Sequence, residues 1–261
     1  TVSEHLQWYT ASGSLKVDAC LKLLDKLQSR GVLRLPEKQR GSKGGIQRSL
    51  CLTEQPAPQA QIVCELSDLG PIKLEVVNDK QLCRLWNQYV SCYHYLGYKK
   101  PFGYYLRFFI KSQAGRLGCI LFSGAARRIG IRDKWIGWTE KQRLSNLSWV
   151  INNSRFLILP GVRVKNLASH VLGQISQQVR GHFHQRWGFA PVLMETFVDP
   201  RYVGSCYKAS NWQYLGMTTG QGLVRAGKSY TTSPKKIFVK PLAKNYRQLL
   251  CSDKLVGRVQ L

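Results

Sequence analysis

"RFLILPGVRVKNLASHVLGQISQQVRG", residues 155–181, followed by "PVLMETFV", residues 191–198, decides the fold. Phe156 to Leu159 form an apolar run too short for a helix, and Pro160-Gly161 closes it, so it reads as a strand. From Asn166 onward Leu167, Val171, Leu172, Ile175 and Val179 recur at helical spacing, which predicts a helix of roughly fourteen residues stopping at Gly181. Residues 191–198 form the next strand. A short helix over "GSCYKASNWQYLG" (204–216) follows, then two basic strands, one around Leu223 and one in "KKIFVKPL" (235–242). Strand, helix, strand, helix in this order predicts an α+β domain with a central sheet and helices packed on it.

Upstream, the same alternation continues. "IKLEVV" (72–77) is strand-like, and "NDKQLCRLWNQYVSCYHYLG" (78–97) is an amphipathic helix with Leu82, Leu85, Trp86 and Tyr89 inward. "YYLRFFIKSQAGRLGCILFSG" (104–124) is a hairpin turning at Ala114-Gly115, and the middle of "RDKWIGWTEKQRLSNLSWVINN" (132–153) is helical. Residues 38–61 hold glycines, prolines and glutamines without periodicity and read as a flexible basic linker. That divides the chain into a helix-turn-helix-like segment over 1–37, the linker, and the α+β domain over 62–261. In the first segment a helix carrying Lys16, Lys22, Lys26 and Arg30 runs to Gly31, and Val32, Leu33 and Leu35 begin a strand, the pattern of a winged helix that grips DNA.

Lys and Arg number 39 against 14 Asp and Glu, a net charge of +25 distributed along the whole chain. The expected partner is a polyanion, here DNA, single- or double-stranded. No apolar run reaches the roughly 18–20 residues of a spanning helix, and the first residues lack a signal-peptide pattern, so a soluble, cytoplasmic protein without a membrane partner is expected. The first residue is not Met, so residues upstream are expected. Eight cysteines without a Cys-x-x-Cys pair argue against a zinc ribbon or a disulfide framework and for reduced thiols. A homo-oligomer is compatible with all of this.

The words "YHYLGY", "RDKWIGW", "NNSRFLILPGVRVKNLASHVLG", "PVLMETFVDP" and "GSCYKASNW", in this order, resemble the DruA family of the Druantia anti-phage systems and the related transposase-type proteins. The resemblance covers nearly the whole chain and implies DNA processing in defence or in mobile elements. The order of elements also resembles the acetyltransferase (GNAT) fold, whose enzymes cradle the pyrophosphate of coenzyme A on a glycine-rich turn at a helix start. Arg163, Val164, Lys165, Asn166 and Leu167 occupy that turn here without a glycine pair. On this reading coenzyme A is not expected.

Phosphodiester chemistry needs carboxylates that hold a divalent ion, or a side-chain nucleophile. After residue 80 the acids are Asp133, Glu140, Glu195, Asp199 and Asp253. Glu140 follows Thr139 at a helix start and reads as part of a cap. In an extended strand Glu195 and Asp199 stand about 13 Å apart, too far to share one ion, so Asp133 joins Glu195 as the candidate site for Mg or Mn, and Asp199 takes a separate catalytic role. Pairing of Asp133 with Arg132 is the structural alternative. Tyr207 is the rival nucleophile, or a general acid by analogy with the acetyltransferase fold, with Arg155, Arg201 or Lys208 to steady developing charge. His182 and His184 in "HFH" read as loop residues that contact DNA in preference to a metal pair, and His94 is either packed or functional. Arg132, Trp135, Trp138, Arg155, Arg163, Lys165, Lys208, Asn211 and Trp212 complete the expected DNA surface, the tryptophans as stacking platforms for unpaired bases. The resulting expectation is a metal-dependent DNA nuclease or transposase. A tyrosine-nucleophile transposase, a non-catalytic DNA-binding subunit and an acyltransferase acting on nucleic acid, which would need coenzyme A, are the alternatives.

Overall fold

The computed structural model describes residues 2–9, 15–35, 61–220 and 232–253. The chain divides into two compact units, Thr1–Gln55 and Pro56–Leu261. The first holds a short helix α1 (Val2–His5) and the helix α2 (Val17–Ser29). Lys22, Lys26 and Arg30 are exposed and Lys16 half-buried, exposed Asp18 and Asp25 share the helix, and Val32–Leu35 do not form the strand expected there. The expected linker lies almost wholly outside the described residues, as does the strand expected around Leu223.

The second unit is the expected α+β domain, built on one mixed, mostly antiparallel sheet. In chain order it comprises β1 (Ile62–Val63), β2 (Lys73–Val76), α3 (Lys80–Tyr93), β3 (Tyr105–Ser112), β4 (Gly115–Gly124), α4 (Gly130–Ile136), α5 (Glu140–Asn146), β5 (Val150–Ile158) and β6 (Val162–Arg163). It continues through α6 (Leu167–Trp187), β7 (Leu193–Val198), α7 (Ser205–Ala209), β8 (Gln213–Met217), β9 (Lys236–Pro241) and α8 (Tyr246–Leu250). Seven strands make one sheet in the order β2-β3-β4-β5-β7-β9-β8, and β1 and β6 make a separate parallel pair. Every neighbour in the large sheet is antiparallel except β5 and β7, which are joined by the crossover through α6.

Local chemistry explains the boundaries. Asp79 caps α3 by accepting from the Gln81 and Leu82 amides at 2.8 and 2.9 Å. Thr139 and Gln142 form a capping box at the start of α5, and Gly137 at φ 86 ends α4, so the expected single helix after Arg132 is two short ones. Fully buried Trp86 ties α3 to the sheet by donating from Nε1 to the Phe108 carbonyl at 3.0 Å. Helix α6 buries Leu167, Val171, Leu172, Ile175, Val179 and Phe183 on one stripe, each worth about 1.5–3 kcal/mol of apolar transfer. It runs 21 residues, past Gly181, because that stripe stays in register to Phe183. His182 and His184 therefore lie inside a helix, two residues apart and about 200° around its axis, and the expected loop pair does not exist. Gly118 permits the closest approach in the sheet, since a Cβ there would meet the Leu157 carbonyl oxygen at 2.2 Å.

Candidate active site

Parallel strands β5 and β7 pair over only three residues, Val150↔Leu193, Ile151↔Met194 and Asn152↔Glu195, and then part. The cause lies on the other edge of β5. Leu121 pairs with Arg155 and Phe122 with Asn153, which leaves Ser154 as an extra residue, a bulge that bends β5. A cavity of about 690 Å³ opens between the two strands, with α7 and the segment after α3 as its other walls.

Asn153 organises the opening. Its side-chain amide donates to the Leu121 and Arg155 carbonyls at 3.3 and 3.1 Å, which locks the bulge. Its side-chain oxygen accepts the Tyr207 hydroxyl at 2.9 Å, and its backbone carbonyl accepts from the Thr196 hydroxyl at 3.0 Å. Ser154 lines the same cavity, and its Oγ is buried without a hydrogen-bond partner among the described residues. Such an orphaned hydroxyl is costly unless something else satisfies it.

Tyr207 is buried in an aromatic cage, stacked on Phe238 at 5.7 Å between centroids and edge-on to Trp212 at 5.2 Å. Gly204, at φ 76, lets α7 start against that wall, because a Cβ there would sit 2.9 Å from the Phe238 ring. Burial pushes the Tyr207 phenol well above its ordinary value, with the Thr196 hydroxyl pulling weakly the other way. The phenol is therefore protonated at neutral pH. A tyrosine that attacks phosphorus needs an accessible oxygen, and this one is enclosed and already donating.

His94, at the C-cap of α3, closes another wall. Its Nδ1 accepts from the Leu96 amide at 3.2 Å, and burial, with Arg155 nearby, lowers its pKa to about 4. Arg155 is half-buried and spends its donors on the Gly97 and Ser154 carbonyls. Asp199 accepts from Arg201 at 2.9 Å and from Lys235 at 2.8 Å, and these hydrogen bonds hold its carboxyl far below the usual range.

The acids expected to hold a metal do converge, but on a guanidinium. Arg132, fully buried, donates from Nη1 to Glu195 Oε2 at 2.8 Å, and from Nε and Nη2 to Asp133 Oδ1 at 2.9 and 2.7 Å. Glu195 Oε1 accepts the Ala126 amide at 2.9 Å, and Asp133 also accepts from Trp138 Nε1 and the Ile129 amide. Burial raises the Glu195 pKa and Arg132 opposes the rise, while the two carboxylates hold Arg132 firmly charged. Among the described residues no group of three or more His, Cys, Asp or Glu is arranged to hold a metal. Arg132 is thus unavailable to DNA. Trp138 and Trp212 are buried core residues, and half-buried Trp135 is stacked on Tyr246 against the core, so none of the three is a free platform for a base. Lys208 is exposed on α7 and Asn211 on the turn after it.

Arg163 and Lys165 are exposed just before α6, whose first turn contains no acid. Asn166 adopts φ 62, the left-handed conformation that glycine would otherwise supply, so the turn forms without the missing glycine pair. A long helix end without a compensating acid and flanked by two cations suits an anion. Asn153, Ser154 and His94 thus join Tyr207 around the cleft. The sequence signal for the first two, polar residues inside a strand beside "RFLILP", was present but reads equally as a loop.

No curated protein matches the chain. Among solved structures it is similar to the spermidine/spermine N-acetyltransferase SpeG of Vibrio cholerae, at 10% identity over 68% of this chain and 96% of that one, TM-score 0.40. A phosphinothricin acetyltransferase of Sinorhizobium meliloti, solved with AcCoA, is 12% identical over 54% of this chain and 62% of that one, TM-score 0.36. An agmatine N-acetyltransferase is 11% identical over 65% and 99%, TM-score 0.39. At such identities the likeness is one of fold alone. The structure itself corrects the expected divalent-metal site, because Asp133 and Glu195 close on the Arg132 guanidinium and no group among the described residues is arranged to hold an ion, and the metal-dependent nuclease or transposase expected on that site falls with it. Asn166 builds the turn before α6 without a glycine pair, which removes the ground for expecting no coenzyme A. The family description "Druantia protein DruA" matches residues 26–233, and the chain belongs to the DruA family.

Proposed function

We propose that the second unit is an acyltransferase that takes its acyl group from a coenzyme A thioester held in the gap between β5 and β7. The observation that carries this reading is the gap itself: two parallel strand edges, parted by a bulge, with a protonated tyrosine in the wall. The parted strands offer main-chain amides and carbonyls to an extended, amide-bearing chain, much as a sheet edge receives a strand. Arg163, Lys165 and the start of α6 supply positive charge for phosphate. A bound thioester supplies an activated acyl carbon and a thiol leaving group. Tyr207 Oη keeps its proton at neutral pH and donates it to Asn153 Oδ1, which fixes the ring and that amide in the wall of the cleft.

The test is binding of coenzyme A to the full chain, read by calorimetry and by thermal unfolding. A ligand at a hundred times its Kd stabilises by about 2.7 kcal/mol, a rise of about 5–11 °C for a unit of this size. Arg163→Glu with Lys165→Glu is expected to weaken coenzyme A at least tenfold and to leave pantetheine, which lacks the phosphates, unaffected. A folded protein that takes up neither ligand at millimolar concentration refutes the proposal.

A further inference from the structure

The mouth of this cleft carries a feature that donor binding does not use. Tyr95, just beyond α3, and Tyr202, in the loop after β7, come from distant parts of the chain and meet with ring centroids 5.7 Å apart, tilted by 50°. Both rings are about half exposed, at 46% and 50%, and so are their apolar neighbours Leu96 and Val203, at 51% and 66%. The Arg201 guanidinium lies 5.6 Å from the Tyr95 ring and 5.9 Å from the Tyr202 ring. Asp199 fixes that guanidinium at 2.9 Å and is itself matched by Lys235 at 2.8 Å. Among the residues lining the cleft Arg201 and Asp199 cancel, and Lys235 behind Asp199 leaves this group of rings and charges one positive charge.

We infer that this rim is a stacking platform for unpaired nucleobases, and that the acceptor presented to the cleft is carried on a single-stranded nucleic acid; only the word acceptor rests on the acyltransferase reading. Exposed rings joined by an arginine form a patch that water solvates poorly and that the planar face of any base would cover. An acidic peptide would need the cations but would leave the rings uncovered. The chain's charge of +25 supplies the sequence-independent attraction for phosphate that a platform of this kind accompanies.

The experiment measures anisotropy of a fluorescein-labelled twelve-nucleotide single strand with the full chain, against an abasic strand of the same length and charge. The base-bearing strand is expected to bind at least about tenfold more tightly, the discrimination that stacking one base on a ring gives. Tyr95→Ala with Tyr202→Ala is expected to remove that preference while abasic binding stays within twofold, and Tyr95→Phe with Tyr202→Phe is expected to retain it. Equal affinity for the two strands, or a preference that survives the double alanine variant, overturns the platform. Polyglutamate that competes as well as the strand overturns it in favour of an acidic peptide. Coenzyme A is expected to leave strand binding unchanged; displacement assigns the rim to the donor and overturns the acceptor role. A preference for bases in a protein that takes up no coenzyme A supports the platform and refutes the acyltransferase reading alone.

Discussion

Replacing Arg132 with Met removes the donor that holds Glu195 in a fully buried site. The Glu195 carboxylate then keeps only the Ala126 amide, while Asp133 retains Trp138 Nε1 and the Ile129 amide and is partly exposed. The loss therefore falls mainly on Glu195. Deleting one member of a buried ion pair costs about 3–5 kcal/mol, because the other is left charged in an apolar site or must bind a proton. For a unit of about two hundred residues each kcal/mol is worth about 2–4 °C, so the melting temperature is expected to fall by roughly 6–20 °C. Glu195→Gln keeps the shape and the Ala126 contact and leaves Arg132 paired with Asp133, so its cost is smaller, about 1.5–3 kcal/mol. Combining Arg132→Met with Glu195→Leu removes both charges, and its cost is expected to fall at least about 2 kcal/mol short of the sum of the two single changes. Urea unfolding at pH 7 measures all of these. An Arg132→Met variant as stable as wild type, or a double variant that is strictly additive, would falsify the view that this triad is a structural clamp.

Two further outcomes follow from named residues. The low His94 pKa of about 4, against an ordinary 6.5, means that the unfolded chain binds this proton more readily than the folded one, so stability is lost as pH falls from 6.5 towards 4; urea midpoints over that window are expected to slope less in His94→Gln, and parallel slopes would count against the packing described. Gly118→Ala drives a Cβ into the Leu157 carbonyl and is expected to cost about 3 kcal/mol or more, whereas Gly173→Ala, with open space on α6, is expected to gain about 0.5–1 kcal/mol in the same measurement.

The hairpin, α3 and the crossover through α6 were legible because their apolar residues keep a clean period and α3 opens on the capping Asp79. Residues that read poorly are those with two local meanings. Gly181 looked like a helix stop, yet nothing crowds it and the stripe continues to Phe183. Asn153 and Ser154 fall outside the strand read from Arg155 onward because polar residues inside a strand earn their place only from the cleft they line, which periodicity does not reveal. Convergence of Asp133 and Glu195 was legible by elimination among few acids. Which cation they meet was decided by the orientation of Arg132 on α4, a matter of tertiary packing. Asn166 hid a glycine-like turn behind a non-glycine residue.

The brief joint between β5 and β7 also bears on what holds the sheet together. Strands β2 to β5 are joined by long antiparallel ladders, whereas β7, β9 and β8 are tied to them within the sheet by only three residue pairs. Helix α6 reaches across that weak seam, with Gln174 donating to the Ile72 carbonyl and Trp187 to the Tyr105 carbonyl at the far half of the sheet. It is the rivet of the fold, and its apolar stripe from Leu167 to Phe183 lets the two strands part at the cleft without the halves separating.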